Sequence, residues 1–187
     1  MSELQTGGHD GWFDQHVRRQ ILKIRPRRIF DVGVGKGLNG KLIRETYLGA
    51  LGKDIVINGI EIWDKHFEFV IPEYDEIIHG DVREMTDDEW EAFSGDVVIF
   101  GDVLEHMDEV EAMQVVRKAY PHFRYIIINT PLGFLEHEEM DGNKWEAHIC
   151  GLFPENFINK FYIIEQNVRE AGTWAGLFNL WIEGGKE

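Results

Sequence analysis

The sequence predicts an α/β fold, a mostly parallel sheet with helices on both faces, and three observations predict it. Short apolar, β-branched runs alternate with helical patterns from Ile29 to Pro131. The first run, Ile29–Val32, breaks into Gly33, Gly35 and Gly37 before the helical Lys41-Leu42-Ile43-Arg44. Acids stand at the ends of three successive runs, as Asp31, Glu61 and Asp81.

The elements follow in order. Residues 1–10 read as a polar arm. Trp12, Phe13, Val17, Ile21, Leu22 and Ile24 fall near helical spacing and predict an amphipathic helix, broken at Arg25-Pro26-Arg27. Trp12 and Phe13 are expected to pack on the sheet rather than to cover a pocket. The turn after the first strand needs glycine, because glycine reaches positive φ and lets the backbone approach a ligand. The free N–H groups of the following helix, Lys36 to Leu51, then face that ligand. Asp54–Ile62 is the second strand, Asp64–Val70 a short helix cut off by Pro72, and Asp75–His79 the third strand. Asp87-Asp88-Glu89-Trp90 begins a short helix with acids that complement its dipole. Asp96–Gly101 is the fourth strand, and a helix continues from His106 to Tyr120. Arg124–Thr130 is the fifth strand, ending at Pro131. The irregular stretch from Leu132 to Phe153 leaves it on the ligand-binding edge, where long loops carry function. After a short helix over Pro154–Lys160, Phe161–Val168 and Thr173–Ile182 alternate as two strands of a hairpin, turning at Glu170-Ala171-Gly172.

With 187 residues and 43% apolar content the chain is most simply one domain, 1–187, with an ample core. Nineteen basic against 34 acidic residues give a formal charge of −15, which repels nucleic-acid phosphates and anionic lipid. The basic set Arg18, Arg19, Lys23, Arg25, Arg27 and Arg28 reads as a solvated helix face and linker rather than a phosphate grip. One cysteine, Cys150, leaves no intramolecular disulfide or multi-cysteine zinc site. No apolar leader or 18-residue apolar run appears, so the expectation is a cytoplasmic protein without a membrane segment.

The glycines alone leave two ligands open. Gly35-x-Gly37-x-x-Gly40 also satisfies the dinucleotide fingerprint, with Glu61 near the place of a ribose-binding acid, so an NAD-dependent oxidoreductase is one reading. Asp31 favours the other. Two positions before the first glycine, its charge offers nothing to a pyrophosphate but attracts a ligand carrying an ammonium group.

In Asp31-x-Gly33-x-Gly35-x-Gly37, Gly59-Ile60-Glu61, Gly80-Asp81-Val82 and Asp96–His106, the chain resembles class I S-adenosylmethionine-dependent methyltransferases. These motifs run in the family's order over residues 29–107, and the terminal hairpin extends the likeness. The resemblance implies a Rossmann-like sandwich, with a seven-stranded, mostly parallel sheet and a C-terminal antiparallel strand. It implies S-adenosylmethionine as cofactor. Asp31, Gly33, Gly35 and Gly37 would hold its methionine end, Glu61 the ribose, Asp81 the adenine, and Asp102 the loop beside the sulfonium. Val34, Leu38, Ile62, Val82, Gly101 and Val103 complete the cofactor-binding set, and Trp63 is a further candidate for the adenine. The adenine-methylating Asn/Asp-Pro-Pro-Tyr/Phe signature is absent after the fourth strand, where Gly101-Asp102-Val103-Leu104 stands.

Methyl transfer from a sulfonium needs positioning and water exclusion, and a base only where the acceptor is a hydroxyl or protonated amine. Asp102-x-x-Glu105-His106 is expected to place three side chains on one helix face, and the 132–153 loop adds His137, Glu146 and His148. His148 and His106 are the candidate catalytic residues. Some small-RNA and quinone-precursor methyltransferases carry an acid-x-x-Glu-His metal group at this point. Asp102, Glu105, His106 and His148 would make such a set, but Asp102 replaces the glutamate expected there and its position more often touches the cofactor, so no metal is assigned. The expected acceptor is a small molecule, a sugar or metabolite, methylated on oxygen or nitrogen. Its pocket is shallow or completed by a second subunit, as in a homodimer. A non-catalytic adenosylmethionine-binding module is the remaining alternative.

Overall fold

The computed structural model describes residues 11–52, 54–68, 72–171 and 174–186. The predicted arm at 1–10 and the residues Gly172 and Thr173 of the hairpin turn lie outside them. Helix α1 (Gly11–Ile24) precedes β1 (Arg28–Val32), α2 (Leu38–Leu51), β2 (Val56–Glu61), β3 (Glu76–His79) and α3 (Asp87–Ala92). Then come β4 (Gly95–Gly101), α4 (Glu109–Ala119), β5 (Phe123–Leu132), α5 (Glu155–Ile158), β6 (Ile163–Ala171) and β7 (Trp174–Glu183). The seven strands form one sheet in the order β3-β2-β1-β4-β5-β7-β6. The first five are parallel, and β7 runs antiparallel to both neighbours. The expected sheet is thus the observed one. Strand order reverses between β1 and β4, which opens a crevice at their carboxyl ends.

Alternation along the central strands builds both faces of the core. Ile29, Val97, Ile99 and Ile127 pack with Val17 and Ile21 of α1 and Leu42 and Ile43 of α2. Phe30, Val32, Val98, Phe100, Ile126 and Ile128 point to the other face, among Trp90 of α3 and Met113 and Val116 of α4. Trp90 is fully buried, edge-on to Phe30 at 5.8 Å and to Phe123 at 6.2 Å. Two capping boxes start the helices of this face, Thr86 with Glu89 and Asp108 with Glu111. Each cap contributes about 1 kcal/mol. A buried amide line joins α1 to the sheet: the Gln20 amide donates to Asn179 (2.7 Å), and Asn179 donates to Asn129 (2.8 Å).

Three predicted elements differ. The helix expected from His106 begins only at Glu109, capped by Asp108, while Leu104–His106 forms a separate 3-10 turn. Asp102 has φ +51 and lies outside both. The one-face arrangement of Asp102, Glu105 and His106 therefore does not form. Strand β5 runs through Pro131 instead of ending there. Beyond the Gly101–Asn129 pair, β5 has no β4 partner, so the missing proline N–H costs no ladder bond. The segment after β2 is a 3-10 turn over Asp64–Glu68, with residues 69 and 70 of the expected helix outside those described. No described helix is long and apolar enough to cross a membrane.

Candidate functional site

The glycine turn after β1 takes the conformation its sequence requires. Gly33, Gly35 and Gly37 have φ of +75, +54 and +79, a region that costs a side-chain-bearing residue about 1–2 kcal/mol. Gly33 and Val34 donate their N–H groups to the Ile60 carbonyl, and Gly35 N–H donates to Glu61 Oε2 at 2.7 Å. Trp63 N–H donates to Glu61 Oε1 at 2.8 Å, and His66 Nδ1 stands 3.4 Å from the same oxygen. Burial raises the Glu61 carboxyl, but His66 and the two backbone N–H groups outweigh it and hold the group below its ordinary value. Glu61 is therefore a fixed carboxylate at the crevice, with lone pairs left to accept from a diol.

A cavity of about 550 Å³ opens over the carboxyl ends of the strands. Gly33, Val34, Gly35, Leu38, Glu61, Ile62, Asp81, Val82, Gly101, Asp102 and Val103 all line it, as do Trp63 and, from α1, the buried Phe13. Two predicted cofactor residues are not on its wall. Asp31 is fully buried, accepts from the Tyr74 hydroxyl and the Asn39 amide, and is pushed up to about 7, mainly by burial. It sits beneath the turn because residues alternate along β1, and its place in the strand turns it toward the α2 face. Gly37 instead forms the left-handed N-cap of α2. Gly40 is explained by packing rather than by a ligand, since a Cβ there would lie 2.3 Å from the Tyr74 ring.

At the far end of the crevice, Asp81 caps the turn after β3 by accepting from Arg83 N–H at 2.9 Å. The Arg83 guanidinium holds both Asp81 oxygens (Nη2 to Oδ2, 2.6 Å) and reaches Glu111 at 3.2 Å. Burial raises Asp81, but Arg83 more than offsets it and keeps the carboxyl ionised below its usual range. Arg83 and Tyr74 carry no sequence signal. Only the packed sheet brings them to Asp81 and Asp31.

The loop of residues 133–153 returns over β4. Ile149 and Cys150 donate backbone N–H groups to the Glu105 carbonyl at 2.8 and 3.2 Å, which sets His148 beside Glu105 and His106. One ligand atom from each of these three side chains lies within 4.8 Å of the others. Each histidine near this point donates Nδ1–H to a loop carbonyl: His106 to Ala147 (3.2 Å), His148 to Leu135 (2.6 Å) and His137 to Glu146 (3.1 Å). That fixes the proton on Nδ1 and leaves the Nε2 lone pairs free. Burial lowers His148 to about 4, with further lowering from His106 and His137, so it is neutral at neutral pH. Glu105 is 2% exposed; Thr130 donates to its Oε2 (3.0 Å), while Oε1 has no hydrogen-bond partner among the described residues. Burial raises its carboxyl. Asp102 lines the cavity outside this group and donates its N–H to the Asn129 carbonyl. Cys150 is pushed up to about 11 by burial and by Glu105, Glu109 and Asp108, so it stays a thiol.

No family model and no curated protein matches the sequence. Solved structures do match. The fold is that of class I S-adenosylmethionine-dependent methyltransferases, as the motifs imply. The N-terminal domain of EvdMO1, solved in the presence of SAH and D-fucose, aligns at a TM-score of 0.63 and 15% identity, covering 91% of this chain and 81% of that one. The N-methyltransferase NodS from Bradyrhizobium japonicum WM9 aligns at 0.60 and 8% identity, covering 94% and 98%. The methyltransferase domain of bacterial CtHen1 aligns at 0.59 and 12% identity, covering 91% and 97%. At these identities the likeness is one of fold.

Proposed function

We propose that the protein is an S-adenosylmethionine-dependent methyltransferase acting on oxygen or nitrogen of a small molecule, with residues 1–187 as one catalytic domain. One observation carries the reading. A single cavity joins a positive-φ glycine turn, a carboxylate at the end of β2, a carboxylate at the end of β3 and a His/Glu group after β4. The first three suit the amino-acid end, ribose and adenine of the cofactor, and the fourth suits the acceptor. Glu61 accepts from the ribose hydroxyls. Asp81 is the acceptor for the adenine amino group, and Val103 and Asp102 border the transferring methyl. Asp31 acts from beneath, holding the turn through Tyr74 and Asn39.

His106 and His148 are the acceptor-side residues of this reading, and with Glu105 they fit a divalent cation. The unpartnered, buried Glu105 Oε1 and the two free Nε2 atoms form a mixed oxygen/nitrogen donor set, and the Thr130 hydroxyl and the loop carbonyls orient it from behind. Such a cation would lower the pKa of an acceptor hydroxyl. The residues themselves exclude water, with Leu135, Met107 and Pro131 lining the same end.

Calorimetric titration with S-adenosylmethionine, S-adenosylhomocysteine and NAD, alongside Glu61→Ala, tests the reading. Micromolar binding of the first two alone, lost in the variant, is expected. Tight NAD binding without an adenosylmethionine signal overturns it.

A further inference from the structure

The loop between β5 and β6 reaches both ends of the cavity. His148 stands at the Glu105 end. Trp145, three residues earlier, stands at the other, with its ring centre 5.6 Å from the guanidinium carbon of Arg83. Arg83 is not free to drift, because Asp81 on one side and Glu111 on the other hold its nitrogens. The loop tip is itself built. Asn143 is 3% exposed, accepts from Trp145 N–H at 3.1 Å and donates to Glu146 Oε1 at 3.0 Å, and Met140 and Asn143 form a β-bridge. Trp145 therefore has a fixed backbone, a half-buried ring on the cavity wall and two cations against it, the oriented Arg83 and, at 4.4 Å from the ring centre, the exposed Lys144. It belongs to neither core cluster, so its large apolar ring does not serve the fold's interior.

We infer that Trp145, held by Arg83, is the outer wall of the adenine slot, so that the loop closes on the cofactor at one end while carrying His148 to the acceptor at the other. The inference rests on the methyltransferase reading and adds to it a contact residue (Trp145), a positioning residue (Arg83) and a reason for the loop's length. An aromatic ring beside an ionised carboxylate meets both needs of adenine, an apolar cover for its face and an acceptor for its amino group.

The test is calorimetric titration of the full chain with S-adenosylhomocysteine and, separately, with adenosine, comparing wild type with Trp145→Ala, Trp145→Phe and Arg83→Met. Loss of a base–aromatic contact weakens binding roughly ten-fold. Trp145→Ala is expected to weaken both ligands by that factor, Trp145→Phe by less than about three-fold, and Arg83→Met to weaken both by an intermediate factor. The phenylalanine variant, folded and binding, guards against mere disruption of the loop. Wild type that binds S-adenosylhomocysteine with Trp145→Ala unchanged overturns the inference and leaves the methyltransferase reading standing. A loss for S-adenosylhomocysteine without a loss for adenosine also overturns it, since the contact is then with the amino-acid end. Wild type that binds neither ligand removes the underlying reading, and the inference with it.

Discussion

The two halves of the crevice are made in different ways. The half over β1, β2 and β3 is built from groups fixed by their own strand ends. Gly33, Gly35, Glu61 and Asp81 each lie within three residues of a strand, and Glu61 is locked by backbone N–H groups of Gly35 and Trp63. The half over β4 and β5 is assembled across the sequence. Glu105 and His106 meet His148 only because the loop returns and donates the N–H groups of Ile149 and Cys150 to one carbonyl. A turn-borne half is set as soon as its strands pair, whereas a loop-borne half depends on closure and can be lost without unfolding the sheet. The two halves press together at the glycine turn, where a Cβ on Gly33 would lie 2.3 Å from Val103 Cγ2.

That contrast yields ordered expectations. The largest effect belongs to the acceptor half. Glu105→Gln and His148→Ala are expected to lower methyl transfer by about 10²–10³-fold. Binding of S-adenosylhomocysteine should hold within about three-fold, and titration with Mn²⁺ should show a cation site lost in both variants. Equal loss of cofactor binding would erase the distinction between the halves. Next comes Glu61→Ala, which on the proposed reading removes charge-assisted hydrogen bonds to the ribose and should weaken cofactor binding by about a hundred-fold while leaving Mn²⁺ affinity in place. Third, Gly33→Ala is expected to cost about 1–3 kcal/mol in denaturant unfolding, from positive φ and the clash with Val103. Gly142, also at positive φ but with open space around its Cβ position, should cost only about 1 kcal/mol as alanine.

The smallest expected effect concerns pH and Asp31. Its carboxyl is raised from 3.8 to about 7 in the fold, chiefly by burial. The folded state then holds a proton that the unfolded state has released, so this group's contribution is fully present below about pH 4. It is lost as pH rises toward 7, and is flat above. Asp31→Asn removes that slope. Its melting temperature relative to wild type should climb between pH 4 and 7. A difference independent of pH would mean that Asp31 is ionised throughout.

Much of the cofactor half was legible because its signals are local. Glycines at alternate positions announce positive φ, and an acid at the end of an apolar run announces a group at the sheet's carboxyl edge. Asp31 misled in part: its place in the strand was clear, but alternation turned it beneath the turn, to Tyr74, rather than into the cavity. The acceptor half was legible only as a set of residue types. Glu105, His106 and His148 were all named from the sequence, His148 from the loop but Glu105 and His106 through a helix face that does not exist, because Asp108 starts α4 only after a separate turn. Asp102, grouped with them by spacing, has a left-handed backbone and is not among the three side chains whose ligand atoms meet. Arg83 gave no signal at all, and it meets Trp145 across 62 positions only through the loop's return.

The sequence by itself determined the strand–turn–helix order, the glycine turn, the carboxylates at 61 and 81 and the antiparallel pair at the end. Each depends on hydrophobic period or backbone conformation within a few residues, which the local chain specifies. Tertiary structure alone decided which histidines share a site, that Glu105 Oε1 is left without a hydrogen-bond partner among the described residues, and what covers the cavity. Those depend on where a 21-residue irregular segment, 133–153, folds back, and that is set by a few backbone hydrogen bonds to Glu105 and by packing of Leu152 into the core rather than by any period in the segment itself.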